Sequence, residues 1–154
     1  MSGVSNYVPY SPNSRGLTEA LIDLKVTMSG RTVYAVAGFE APALENVVQG
    51  DALYARTGDG LVGKAIANST EDLATVIGFA QTTKSIGQLV RVLTFSVTPV
   101  TGLSPGILYF LSAVSPGNIT STPPNTPGHY VTRVGEAASS SVLVVQLEPP
   151  IQLS

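Results

Sequence analysis

The sequence predicts an all-β fold, with short antiparallel strands forming a β-sandwich or barrel-like lobes and an extended N-terminal arm. Three features of its 154 residues carry that expectation. Alternating or β-branched apolar runs recur at short, regular intervals. Clusters of Gly, Pro, Asn and Asp separate them, and no stretch keeps a helical period for long.

The elements follow in order. Residues 1–16 are rich in Ser, Asn, Pro and Gly yet carry Val4, Tyr7, Val8 and Tyr10. A disordered tail usually lacks such apolar anchors. This segment therefore reads either as a frayed terminus or as an arm that docks on a neighbour. Next, Ile22, Leu24, Val26 and Met28 alternate with Asp23, Lys25, Thr27 and Ser29. Leu17, Leu21 and Leu24 would suit a helix, but the alternation is longer and β-branched residues favour a strand. Ser29-Gly30 offers a two-residue turn into residues 31–39, so the pair reads as a β-hairpin that Pro42 ends. Residues 1–42 thus form an N-terminal arm and hairpin, and residues 43–154 a β-rich module.

Within that module, strands are expected at 52–56, 61–67, 73–80, 89–97, 107–111, 131–137 and 142–147. Turns fall at Gly58-Asp59-Gly60, Pro105-Gly106 and Pro116-Gly117, as at Gly30 earlier, because Gly accepts positive φ and Pro presets a turn. A single helical turn fits within 68–75, where Ser69-x-x-Asp72 resembles a cap. Gly50-Asp51-Ala52-Leu53-Tyr54 and Val76-Ile77-Gly78-Phe79-Ala80 are echoed by Gly106-Ile107-Leu108-Tyr109 and Arg133-Val134-Gly135-Glu136-Ala137. Two pseudo-repeated lobes would produce that echo, and so would generic β grammar.

Composition narrows the function. Charged residues are 12% of the chain, against about 25% in average proteins. So few charges leave apolar surface for another subunit to cover. Net charge is −2 and the basic residues, such as Arg15, Lys64, Lys84 and Arg133, are scattered. That argues against a phosphate-tracking surface and hence against nucleic acid. There is no cysteine, so no disulfide or thiolate site exists. The N-terminus lacks the basic and apolar regions of a signal peptide. Apolar runs such as 142–145 fall far short of the roughly 20 residues that span a bilayer. Synthesis in the cytoplasm and no membrane partner are expected.

Catalytic groups are sparse. His129 is the only histidine and follows Pro127-Gly128, a turn context; no serine sits in a nucleophile elbow. One histidine without cysteine is short of zinc ligands. Asp51 and Asp59 adjoin glycines, where Asp commonly stabilises turns, and Glu71-Asp72 reads as a solvated loop. Without tryptophan the carboxylates lack the aromatic platforms of a sugar-cleaving cleft. Gly58-Asp59-Gly60 has neither the Lys-Ser/Thr of a phosphate loop nor a following helix. The chain is expected to be no enzyme, with no cofactor, metal or small-molecule substrate. The candidate contact residues are Val4, Tyr7, Val8, Tyr10, Pro149, Ile151 and Leu153, apolar or Pro residues in the two flanking segments.

The strand and turn series also resembles a known family. It comprises Gly50-Asp51-Ala52-Leu53-Tyr54, Gly58-Asp59-Gly60, Gly63-Lys64-Ala65 and Val76-Ile77-Gly78-Phe79-Ala80. The second half adds residues 103–111, Pro116-Gly117-Asn118-Ile119-Thr120 and Val134-Gly135-Glu136-Ala137. Over residues 43–150 the chain is similar to trimeric capsid decoration (cement) proteins of tailed bacteriophages, cyanophages included. The resemblance implies a homotrimer on the outer capsid surface of a virion, made in the host cytoplasm, that clamps neighbouring major capsid protein subunits. Residues 1–42 depart from the shared module, and their role in capsid anchoring or inter-subunit docking rests on position and composition. The alternative is a trimeric head- or tail-fibre module binding a host-surface glycan or receptor, since fibre proteins share these signals.

Overall fold

The computed structural model describes residues 22–28, 31–36, 38–97 and 100–154. The protein is all-β: among the described residues, antiparallel strands with one helical turn. The expected N-terminal arm, with Val4, Tyr7, Val8 and Tyr10, lies outside the described residues, as does the turn residue Gly30.

Strands β1 (Ile22–Met28) and β2 (Arg31–Val36) pair antiparallel with Met28 opposite Arg31. The hairpin stops short of Phe39. Strand β3 (Gly38–Pro42), expected as the end of the second hairpin strand, instead pairs along its length with β7 (Leu89–Leu93). Between them in sequence lie β4 (Ala52–Ala55), β5 (Val62–Lys64), helix α1 (Glu71–Ala74) and β6 (Gly78–Ala80). The resulting five-stranded sheet has the order β3-β7-β6-β4-β5.

This first sheet closes on itself. Just past β3, Ala43 forms a parallel bridge with Val62, and the Leu44 N–H donates to the Val62 carbonyl at 2.7 Å. The Glu45 carboxylate then accepts the Lys64 N–H at 2.8 Å. A segment beyond one edge strand is thereby tied to the other edge strand, and the sheet becomes a small barrel. Its interior holds Ala43, Val47, Leu53, Val62, Val90 and Val92, each buried. Along β4 and β7 these alternate with outward residues, as a pleated strand requires.

Helix α1 corrects the expected strand over 73–80: Leu73 and Ala74 end the helix and only Gly78–Ala80 are strand. Its N-cap is Thr70, not Ser69: the Thr70 hydroxyl accepts the Leu73 N–H at 3.3 Å. Glu71 and Asp72 occupy the first turn, where acidic residues suit the free N–H groups. The expected strand over 89–97 also divides. After β7 the chain bends at Thr94-Phe95, and β8 (Ser96–Val97) enters a second sheet.

That second sheet contains β9 (Leu108–Leu111), β10 (Ile119–Thr120), β12 (Arg133–Ala137) and β13 (Leu143–Val145) as well as β8. Its order is β8-β13-β12-β9-β10, the connectivity of the first sheet repeated. The hydrogen bonds repeat with it. Gly50 N–H donates to Ala80 C=O at 2.9 Å, and Gly106 N–H to Ala137 C=O at 2.8 Å. Gln81 N–H donates to Arg91 C=O at 2.9 Å, and Ala138 N–H to Val142 C=O at 2.8 Å. Arg56 N–H donates to Leu61 C=O at 2.8 Å, and Ser112 N–H to Asn118 C=O at 2.9 Å. Leu53 and Tyr109 thus hold equivalent positions, as do Gly78 and Gly135, and Val62 and Ile119.

The two lobes pack as front against back. Ala52, Tyr54 and Phe79 point out of the first barrel and join Tyr109, Leu111, Val134 and Leu143 in one buried cluster. Backbone bonds cross the junction: Ala67 N–H to Ser112 C=O at 3.0 Å and Ala52 N–H to Gly117 C=O at 2.8 Å. The buried Thr132 hydroxyl donates to the Ala74 carbonyl at 2.7 Å, so its polarity is satisfied.

Candidate functional site: an uncovered face and an open seam

Equivalent positions in the two sheets meet different fates. Across the first sheet, Ala52 pairs with Phe79 and Phe79 with Leu93, one row on the outward face. Second-lobe residues cover that row, leaving Ala52 and Phe79 fully buried. The matching row in the second sheet is Leu108, Glu136 and Val144, again directly paired. Nothing in the described chain covers it: Leu108 is 37% exposed, Val144 39%, and Glu136 is also exposed. Half-buried Phe110 lies on the same side of β9 as Leu108, and Ile107 adds exposed apolar surface beside it. A shallow hollow of about 200 Å³ between Glu136, Ala137, Ala138, Val144 and Gln146 marks this face.

The lobes also differ in closure. Past β8 the chain stays on the β13 side: the Val100 N–H donates to the Ser141 carbonyl at 3.3 Å and the Leu103 N–H to the Ser140 carbonyl at 3.1 Å. No hydrogen bond between described residues joins Val100 to Ile119, the counterpart of Val62. A cleft of about 420 Å³ lies at this gap. One bank is residues 100–103, the other Gly117, Asn118 and Ile119, and the first lobe's turn at 48–51 forms a third side. Tyr109 lines it too, with its hydroxyl accepting the Ser104 N–H at 2.9 Å.

Asp51 is the one charged residue on the cleft. Its Oδ2 accepts the Val48 N–H at 2.8 Å, the turn-stabilising role expected for an aspartate at this place. Its side chain lies against Gly117, where a Cβ would come within 2.9 Å of Oδ1. Burial raises its pKa above the usual 3.8, opposed by the Val48 hydrogen bond and by the charge of Lys64. Asp59 behaves differently on the open surface. It pairs with Arg56 and accepts the Leu61 N–H at 3.1 Å, and the Arg56 hydrogen bond lowers its pKa.

The expected site residues distribute as follows. Gly58-Asp59-Gly60 forms a turn in which both glycines have positive φ, 105° and 71°. Pro105-Gly106 and Pro116-Gly117 likewise occupy turns. The C-terminal strand β14 (Ile151–Gln152) pairs with β11 (Tyr130–Val131) of its own chain, and the Leu153 N–H donates to the His129 carbonyl at 2.8 Å. Pro149 is exposed, Leu153 is half-buried, and the Ile151 side chain remains 66% exposed. Sequence reasoning did not single out Leu108, Phe110, Val144 or the banks of the cleft. Their signal is positional: each is equivalent to a first-lobe residue with a different fate.

Among the described residues, no group of three or more His, Cys, Asp or Glu is placed to hold a metal ion. No described helix is long and apolar enough to cross a membrane. Neither a family model nor a curated protein matches this chain.

Proposed function

We propose that this protein is a structural virion component that binds the outer face of a phage capsid as a homotrimer and clamps neighbouring major capsid subunits. The observation that carries the reading is the uncovered row Leu108, Glu136 and Val144, whose first-lobe counterpart is a packed interface. A face built on the plan of a buried one, and left apolar, is suited to burial against another protein. The low charge content supports the same reading, as does the resemblance of the strand and turn series to decoration proteins.

The mechanism is mechanical. A filled shell is pushed outward, and contact area laid across a junction between capsid subunits must be broken before the shell opens. Three copies around a local threefold axis act together, because once one is bound the others meet their sites at high effective concentration.

The test is electron microscopy of purified particles with the stoichiometry of this chain to the major capsid protein, alongside the mass of the free protein in solution. Density on the outer shell and a trimeric mass are expected. A free monomer absent from particles, or a trimer that binds a glycan array and not the shell, would overturn the reading. Leu108→Asp together with Val144→Asp should lower occupancy on particles at least tenfold. The isolated protein should lose only about 0.5 kcal/mol, as expected for exposed positions.

A further inference from the structure

The gap in the second lobe has a built-in template for what fills it. In the first lobe an extended apolar segment, Ala43-Leu44, lies beside Val62 and closes the barrel with one backbone hydrogen bond. In the second lobe the corresponding carbonyl, that of Ile119, accepts no backbone hydrogen bond from residues 100–103, and the space beside it is the 420 Å³ cleft. The opening lies where the first lobe has a strand segment. Its walls are apolar at Val100, Leu103, Tyr109 and Ile119, with Thr101 and Asn118 at the banks. Edge strands with free backbone groups take up extended segments in this way.

We infer that the cleft receives the N-terminal segment 4–10 of a second copy of this chain as an added strand that completes the second barrel. The inference rests on the reading that copies of the protein associate. Residues 1–14 contain no charged side chain, so the segment can enter an apolar gap without stripping water from a charge. It brings Val4, Tyr7, Val8 and Tyr10. In such an added strand adjacent residues such as Tyr7 and Val8 would face opposite sides, so that one of them would enter the cleft. A phenol entering beside Tyr109 can donate its O–H to Asp51 Oδ1, the carboxylate oxygen not engaged by Val48. Twenty-one residues precede β1, enough for roughly 70 Å of extended chain, so a neighbouring copy is within reach.

The absence of native cysteine makes the test clean. Full-length Tyr7→Cys and Val8→Cys copies are each mixed with Ile119→Cys copies under mild oxidation, so that any link must join two chains. Thr101→Cys, on the opposite bank and exposed, replaces Ile119→Cys if that variant fails to fold. Gln152→Cys, outside the cleft, serves as control. At least tenfold more linked dimer than with the control is expected from one of the two arm variants. If the protein associates by mass but links no better than the control, the strand addition is wrong and the assembly reading survives. A monomer that does not link overturns both. A link that forms only within one chain carrying both cysteines overturns the exchange.

Discussion

The two lobes share connectivity and hydrogen-bond pattern, yet one is closed and covered while the other is open and bare. In the first lobe Ala43 and Leu44 seal the barrel, and its outward face is buried by the second lobe. In the second lobe residues 100–103 make no backbone bond to Ile119, and the outward row of Leu108, Glu136 and Val144 meets solvent. The difference teaches that when two β units pack front against back, the second exposes the face that the first buries. Repeat arrays commonly finish with a polar capping face. Here only Glu136 is charged in a row otherwise apolar, which is the composition of an interface with one polar contact.

Changes at equivalent positions sharpen this comparison. Leu53 fills the closed barrel and is fully buried, so Leu53→Ala should cost about 2–5 kcal/mol in denaturant unfolding. At the matching place in the open lobe, Tyr109→Phe keeps the ring and removes only the acceptor for the Ser104 N–H, a loss of about 1 kcal/mol. Equal costs at the two sites would dissolve the distinction between the lobes.

Gly78 and Gly135 probe what the lobes have in common. A Cβ on Gly78 would come within 2.6 Å of the Leu93 carbonyl oxygen, and one on Gly135 would strike the Val144 carbonyl oxygen. Gly78→Ala and Gly135→Ala should each cost about 1–3 kcal/mol through displaced backbone. An effect at one glycine alone would show that the close approach is not a shared feature.

Opening the first seam is a change of similar size. Leu44→Pro removes the N–H that bonds the Val62 carbonyl, costing about 1–3 kcal/mol. Hydrogen exchange should then speed up over 62–64 and stay unchanged over 119–120. Equal acceleration in both lobes would mean that closure is not local.

The smallest effect is electrostatic. Because burial raises the Asp51 pKa, the folded chain holds that proton more tightly than the unfolded chain does. The ionised carboxylate therefore costs stability, a cost that appears as pH rises from 3.8 through the raised folded value and is absent below that window. Asp51→Asn keeps an oxygen for the Val48 N–H, so at pH 7 the variant should equal or exceed the parent in stability. That advantage should vanish in acid. A variant less stable at pH 7 would place a cation or donor on Asp51 that outweighs its burial.

Much of this was legible in the residues. Alternation at Ile22–Met28 and apolar runs at Ala52–Ala55 and Leu89–Leu93 mark strands because a pleat sends successive side chains to opposite faces. The paired glycine and proline turns mark their ends. The echo of residues 50–54 in 106–109 falls on strands that hold the same place in their sheets. Less legible were the strands that change partners. The runs at 31–39 and 89–97 look continuous, yet each splits between two sheets. Ile119–Thr120 and Ile151–Gln152 are too short to announce themselves.

By itself the sequence determined the β class, most of the turns and the shortage of charge, since these follow from local geometry and composition. Only the tertiary structure decided that Ala52 and Phe79 are buried while Leu108 and Val144 are not, and that one barrel closes while its twin stays open. Those outcomes depend on which sheet lies against which and on whether the segment after the first edge strand reaches the other edge. Both are long-range choices, and no local pattern of residues encodes them.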